Sequence, residues 1–488
     1  MKNIAIFLVA VLFLISLLGI FYFMPAEAVW IGLGALVAII LFHLLSRLIK
    51  GKQVRERNPN PWQNLTSLLF IFLLIFVLFA VVLWNLDISI MMHILLVALI
   101  FTMLMNFLTV PLAVFHKLKE KKELFKPSTY KPRVSIIVPA YNEEKVVART
   151  IETLVEADYP NKEIIVVDDG SKDNTYGIAS EYIRNGIKVV RRPNGGKFAA
   201  LNTGIAVSTG EIIITVDADS MIARAAISEM VRGFENPGVA GVAGNLKVFN
   251  RTNLLTRLQA LEYIVQIQIV RRAFENFGSL TVASGAFSAF RKTALQESGN
   301  YDPDYLLEDF DITIKLLKSH QILHGSNEAV CYTEAPETLG DVYRQRLSWF
   351  RGDFQNFWKH RDAFINPRFG IMSKLTFPYM LLSMTLVPLA SLIVMITSVI
   401  MLMDGEWLTL LLAFGLFTTL QILVSILAIL VADDDIKLAL YSPLFIIGYK
   451  QFLDFTMIKA LADIILAGGT YLKRERVTRI GDATEAQA

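Results

Sequence analysis

The chain of 488 residues has one cysteine, Cys331, and only six scattered histidines. A single thiol cannot close a disulfide within the chain, nor can it build a cysteine metal site. His320 and His324 are spaced i,i+4, but the stretch 319–325 reads as a helix end followed by a strand rather than a ligand pair. The net charge is +3, too small for the footprint of a nucleic-acid polymer as partner. No G-x-G-x-x-G follows the first predicted strand, which disfavours a dinucleotide fold of the dehydrogenase type. Internal repeats and low-complexity linkers are also absent.

Apolar residues are abundant instead. They make up 54% of the chain, and the mean hydropathy is +0.49. That balance belongs to an integral membrane protein. Four apolar segments precede residue 116, at 4–23, 28–46, 65–84 and 88–115. Each is long enough to cross about 30 Å of hydrocarbon. Arg47, Lys50, Lys52, Arg55 and Arg57 crowd the middle loop, and 116–133 is rich in Lys. Cytoplasmic loops carry such an excess, so the N-terminus, the middle loop and the segment after 116 are expected in the cytoplasm. The motif Ala26-Glu27-Ala28 also admits a cleaved signal peptide; its apolar run is long for one, and either reading leaves that segment cytoplasmic.

The organisation expected is an N-terminal membrane region, 1–116, then a soluble domain, 124–370, ending in interfacial helices. A C-terminal membrane region, 375–470, follows, with a basic cytoplasmic tail at 471–488. In the C-terminal region the runs 375–403 and 407–431 read as full spans. The run 438–468, interrupted by Lys450, Asp454, Lys459 and Asp463, reads as a re-entrant or interfacial hairpin, with further crossings the alternative. Asp433-Asp434-Asp435 reads as a solvated loop.

Inside the soluble domain, 134–138, 163–167, 188–190 and 211–216 are short β-branched runs. Helical stretches at 144–157, 175–185 and 197–208 separate them. This alternation predicts an α/β domain, a mostly parallel sheet with helices on both faces. Ligands of such sheets bind beyond the carboxyl ends of strands, where 141–143, 168–171 and 217–219 fall.

Each motif there has a functional and a plain reading. Asp217 and Asp219, at i and i+2 after an apolar strand, can share a nucleotide and Mg²⁺ or Mn²⁺, or can simply make a turn. Asp168-Asp169-Gly170-Ser171 can accept from a base or ribose, or form a turn and helix cap. Gly195, Gly196 and Lys197 can approach a phosphate at a helix start, or form an ordinary turn. Glu308-Asp309-Phe310-Asp311 offers a general base, or an acidic first turn matched to the helix dipole, the simplest role for Asp311. The run 344–351 mixes Arg with Trp and Phe. It suits sugar stacking and diphosphate pairing, and equally an interfacial helix.

The order and spacing carry more than any motif alone. Pro139-Ala140-Tyr141-Asn142-Glu143, Asp168-Asp169-Gly170-Ser171, Lys197 with Ala200-Leu201-Asn202, Asp217-Ala218-Asp219, Glu308-Asp309 and Gln345…Trp349 together resemble the family 2 processive membrane glycosyltransferases. Poly-N-acetylglucosamine, hyaluronan, NodC-like chitin-oligosaccharide and cellulose synthases belong to that family. The resemblance covers about residues 130–470.

It implies a GT-A fold and an inverting transfer from a UDP-sugar to a growing polysaccharide, coupled to export through a multi-pass cell-membrane protein. UDP-N-acetylglucosamine is the donor it favours. Tyr141, Glu143, Asp168, Asp169, Lys197, Asp217 and Asp219 would hold the donor, with Asp219 the ligand of Mg²⁺ or Mn²⁺. Asp309 would be the catalytic base. Ser284, Gly285, Glu308, Gln345, Arg346, Trp349 and Arg351 would meet the acceptor. Membrane lipids and an accessory secretion subunit are the other partners it implies. Three departures stand out. Leu307 replaces the usual Thr or Ser. Ser348 replaces the Arg of Gln-x-x-Arg-Trp, the residue that contacts diphosphate. Four N-terminal spans exceed the usual one or two. A non-processive transfer of one sugar to a lipid acceptor is the alternative. A transporter is disfavoured by the scarcity of intramembrane charge, and a degenerate sensor by the presence of Asp309.

Overall fold

The structure, a computed structural model, describes residues 90–123, 130–303 and 306–468. The expected spans at 4–23, 28–46 and 65–84 and the basic tail lie outside the described residues. Packing divides the chain into two compact units, Met1–Asn106 with Leu389–Leu427, and Phe107–Pro388 with Ala428–Ala488.

Helix α1, Ile90–Glu123, contains the fourth apolar segment. In the first unit, Leu95, Met401 and Leu410 form a small buried cluster. The outward residues there are also apolar, among them Ile393, Ile396, Val399, Leu408, Leu411 and Leu412. Helices apolar all round suit lipid rather than water. Among the described residues, Met372–Met403 and Trp407–Ala432 are long and apolar enough to cross a membrane.

The second unit is built on an eight-stranded sheet in the order β3-β2-β1-β4-β7-β6-β8-β5. Its strands are β1 Val134–Ala140, β2 Lys162–Asp168, β3 Lys188–Arg191, β4 Ile212–Val216, β5 Met221–Ile222, β6 Val239–Val248, β7 Phe287–Arg291 and β8 Ile322–Thr333. The pairs β1–β2, β1–β4 and β2–β3 are parallel, as the alternation of β and α predicts. β6 and β8 are parallel as well, so most pairings follow the expectation, but the sheet as a whole is mixed. β7 runs antiparallel to both β4 and β6, and β5 runs antiparallel to β8.

Alternation along the strands feeds two cores. Ile136, Ile164, Val166, Ile212 and Ile214 pack on one face, against Val147, Ile151 and Leu154 of helix α2, Val147–Glu156. The opposite face, with Ile137, Ile165, Val167 and Ile213, meets Ala200, Leu201 and Ile205 of a second helix. Full burial of each such Ile or Val stabilises the fold by roughly 1.5–3 kcal/mol. The longer helices that follow are α3 Thr175–Glu181, α4 Lys197–Val207, α5 Ala226–Arg232, α6 Leu254–Val265, α7 Glu308–Lys318, α8 Leu339–Lys359, α9 Phe377–Met403, α10 Trp407–Ala432 and α11 Lys450–Leu466.

The broken run near the C-terminus ends in α11, which packs on α8. Arg351 Nη2 lies 2.6 Å from Asp463, and the Tyr343 and Phe452 rings are 6.5 Å apart. The Asp433–Asp435 triplet is more than a solvated loop. Asp434 is buried between Arg251, at 2.6 Å, and Lys247, at 3.2 Å. Its own burial opposes ionisation, but the bonds from Arg251 outweigh that and hold it well below the usual carboxylate range.

Candidate active site

The loops at the carboxyl ends of β1 and β2 are laced together. Asn142, in a left-handed conformation with φ 56°, accepts from the Lys172 amide at 2.8 Å and donates its own amide to Ser171 Oγ at 2.9 Å. The Glu143 amide donates to Thr175 Oγ1 at 2.7 Å. Asp173 Oδ1 accepts from the Thr175 amide at 3.0 Å and so holds the start of α3. Tyr141 and Glu143 sit half-buried at this rim.

Asp168 and Asp169 turn inward. Asp168 is fully buried; its Oδ2 lies 3.1 Å from Arg191 Nε, and its Oδ1 accepts from the Ser171 amide at 3.3 Å. Asp169 accepts from the amides of Gly195, at 3.1 Å, and Gly196, at 2.7 Å, and pairs with Arg192. In this geometry both carboxylates already hold protein donors. Asp169 fixes the glycine turn and thereby places Lys197 at the start of α4. Arg191 and Arg192 were missed in the sequence, although they directly follow the run 188–190.

Lys197 is the hub of the site. Its Nζ lies 2.7 Å from Asp217 Oδ1 and 3.0 Å from Glu308 Oε1. Asp217 follows β4, and Glu308 opens α7, so the ammonium ties the two motifs together. Asp309 comes next. Its Oδ2 accepts from the Gly285 amide at 2.8 Å and its Oδ1 from the Phe310 amide at 2.8 Å. Both oxygens keep a further lone pair for a substrate. Burial first, then the neighbouring Glu308, hold the Asp309 carboxyl above the ordinary carboxylate range, with Lys197 and the two amides opposing. A carboxyl so tuned binds a proton more tightly than an exposed aspartate does, which suits a general base.

Gly285 leaves the room this arrangement needs. A Cβ there would come within 2.9 Å of Lys197 Nζ and 3.3 Å of Asp309 Oδ2. Gly285→Ala is expected to lower turnover about 10²-fold by displacing both groups, in a steady-state assay with donor affinity measured in parallel. Wild-type turnover would mean that Lys197 swings aside freely. Neighbouring Ser284 accepts through its carbonyl from Ser288 Oγ at 2.7 Å. Tyr301, buried beside Glu308, Lys197 and Asp309, was also missed, since no motif marks it. Burial, then Glu308, push its phenol up, and Lys197 opposes.

Asp217 and Asp219 share the turn after β4. Asp219 is buried, with Ser220 Oγ 3.3 Å from its Oδ1. Among the described residues no three carboxylate, histidine or cysteine side chains cluster as a closed metal cage. Two carboxylates still fit Mg²⁺ or Mn²⁺, hard cations that take much of their coordination from water and phosphate oxygens.

The Gln345–Trp349 motif lies on α8. Trp349 is half-buried, with the Arg346 guanidinium 4.2 Å from its ring. Arg346 is fully buried and bound to Glu262 of α6 at 2.9 and 3.1 Å, with Gln345 beside it. Arg351 is committed to Asp463. Both guanidiniums expected at the acceptor are therefore turned onto acids of other helices. Asp311, likewise, binds Lys359 at 2.6 Å and His360 at 2.8 Å, away from the hub.

A scan of known families matches residues 135–299 to Glycosyl transferase family 2. The chain carries a family 2 glycosyltransferase domain. It is similar to a poly-beta-1,6-N-acetyl-D-glucosamine synthase of Staphylococcus epidermidis, 34% identical over 232 residues, 46% of this chain and 56% of that protein. A synthase of the same description from Staphylococcus aureus strain COL is 31% identical, over 45% of this chain and 54% of its own length. The chain spans about half the length of the curated relatives it matches. Among solved structures, the mannosyltransferase PcManGT of Pyrobaculum calidifontis, in complex with GDP-Man and Mn2+, aligns with a TM-score of 0.54 and 22% identity, over 76% of this chain and 99% of that one. The glycosyltransferase domain thus has a GT-A type of α/β fold.

Proposed function

We propose that this glycosyltransferase moves a sugar, N-acetylglucosamine in the first instance, from a UDP-sugar onto a growing polysaccharide at a membrane. The observation that carries the reading is the single cluster of Lys197, Asp217, Glu308, Asp309 and Gly285 beyond the carboxyl end of β4. Asp309 takes the proton of an acceptor hydroxyl. The freed oxygen attacks the anomeric carbon from the face opposite the diphosphate. The new C–O bond forms as the bond to the phosphate oxygen breaks, UDP leaves, and the configuration inverts. Lys197 offers positive charge on the diphosphate side. Asp219, with Asp217, would hold Mg²⁺ or Mn²⁺, which supplies charge neutralisation for the leaving diphosphate. The relatives' synthase descriptions and the Mn2+ of the mannosyltransferase support the donor and metal assignments. The apolar outward faces of the first unit support membrane placement, with the transferase domain cytoplasmic and the polymer exported between spans. Processivity and export belong to the same proposal.

Asp219→Ala is expected to lower turnover about 10²–10³-fold, the several kcal/mol that a bound cation contributes, and to abolish the response to added Mn²⁺. An Asp219→Ala protein still activated by Mn²⁺ would remove the metal assignment. Ser348, with Arg346 and Arg351 committed elsewhere, favours a second reading, the transfer of one sugar to a lipid. Protein in nanodiscs, given radiolabelled UDP-N-acetylglucosamine and Mn²⁺, separates the two. High-mass label is expected for a synthase; label confined to the organic phase would establish the lipid transferase. No incorporation from this donor, UDP-glucose or UDP-glucuronate would overturn both.

A further inference from the structure

Another carboxyl group stands on the same stripe of α8 as Gln345 and Trp349. Residues 345, 349 and 353 are four apart, so Asp353 occupies the next turn of one helix face. Two neighbours fix where that turn lies. Gly352 presses on the chain that enters α7, since a Cβ there would meet Leu307 Cγ at 2.6 Å and Leu306 Cβ at 3.1 Å. Asn356 Nδ2 donates to the Leu307 carbonyl at 3.0 Å. Leu307 is the residue before Glu308 and Asp309. The turn 352–356 is therefore pinned beside the catalytic end of α7, and Asp353 is carried there with it.

Asp353 differs from the other acids of this region. Asp311 and Asp463 are ion-paired, and Glu308 binds Lys197. No hydrogen bond or ion pair reaches Asp353 from any described residue. Its side chain is only half-buried, so it is not packed as a core residue. Burial, then the charge of Asp309, raise its proton affinity well above that of an ordinary carboxyl. A carboxyl that keeps its proton can donate as well as accept.

We propose that Asp353 is an acceptor-positioning residue, which hydrogen-bonds a hydroxyl on the rim of the sugar stacked on Trp349, beside the hydroxyl whose proton goes to Asp309. The assignment rests on the transferase reading above. A pyranose presents an apolar face and a rim of hydroxyls. Trp349 serves the face, and a carboxyl one turn along, about 5.4 Å, serves the rim. Asp309 alone cannot both take a proton and hold the ring in register. A second carboxyl fixes which hydroxyl reaches the base.

The test uses full-length protein in nanodiscs with UDP-N-acetylglucosamine, Mn²⁺ and a soluble N-acetylglucosamine oligosaccharide as acceptor. Asp353→Ala is expected to raise the acceptor KM about tenfold, the scale of one lost hydrogen bond. Turnover at saturating acceptor should fall less than about threefold on the same scale. UDP-N-acetylglucosamine affinity and the melting temperature should stay put. Asp353→Asn, which still donates and accepts, should recover most of the acceptor affinity. An unchanged acceptor KM in Asp353→Ala would overturn the assignment. So would an equal loss of donor affinity or a lower melting temperature, since either would make the residue structural. Wild-type protein that transfers from no UDP-sugar would sink the transferase reading and this assignment with it. Active wild type with an indifferent Asp353→Ala would sink this assignment alone.

Discussion

Asp309→Asn is expected to cut sugar transfer by about 10²–10⁴-fold, the range a positioned general base contributes, while leaving UDP-sugar affinity within about twofold by the same separation of binding from chemistry. The amide is nearly isosteric, but its single oxygen can accept from only one of the Gly285 and Phe310 amides, so a melting curve run in parallel should show the fold intact. What it loses is the ability to take a proton. The pH profile supplies a second readout. Burial and Glu308 raise the carboxyl's pKa, and only the ionised form acts as base. Wild-type kcat/KM should therefore fall as pH drops through that raised pKa, above the range of an exposed aspartate. Glu308→Gln removes the neighbouring negative charge, so the acid limb should move to lower pH. Full transfer by Asp309→Asn would assign the base elsewhere, with Glu308 the nearest carboxyl.

Much of this hub was legible in the sequence because each member is local. Asp217 and Asp219 follow a run of five buried residues that cannot be other than a central strand. Glu308 and Asp309 open a helix whose start their own acidity favours. Strands β1, β2 and β4 were legible for the same reason, as strands buried on both faces read as apolar, largely β-branched runs. The later strands were not. β6 reads Val-Ala-Gly-Val-Ala-Gly, with small residues where bulk would mark a strand, and β8 contains His, Gly, Ser, Asn and Glu. Their pairing, with β7 inserted antiparallel between β4 and β6, is decided by tertiary packing rather than by local propensity.

The fates of the arginines were equally hidden. Arg346 pairs with Glu262, 84 positions away, Arg351 with Asp463, 112 away, and Arg251 with Asp434, 183 away. A motif gives residue types and spacing, but a long side chain on a helix can turn to any acid the fold brings within reach. The aspartate pair after β2 makes the related point. Its position beyond a strand end was readable; that its carboxylates hold Arg191, Arg192 and a glycine turn needed the fold.

Arg346→Met should be the most destabilising of these substitutions. The guanidinium is fully buried and holds Glu262 through two bonds, while the Tyr449 hydroxyl donates to the same carboxylate at 2.6 Å. Removing the arginine leaves Glu262 with Tyr449 alone. Breaking a buried pair from one side costs about 3–5 kcal/mol, which should lower the melting temperature by roughly 10 °C. Replacing both partners is a different experiment, because two well-packed apolar side chains can match a buried ion pair. Arg346→Met with Glu262→Leu should therefore recover most of the lost melting temperature. Activity should not recover with it. Arg346 also lies 4.2 Å from the Trp349 ring and binds Gln345, so the double variant loses the cation that fixes the aromatic platform. Acceptor KM should stay several-fold high even when the fold is restored, on the scale of about 1 kcal/mol for a partly buried cation–π contact. A double variant that regains acceptor KM along with stability would reduce Arg346 to scaffold and leave Trp349 to orient itself.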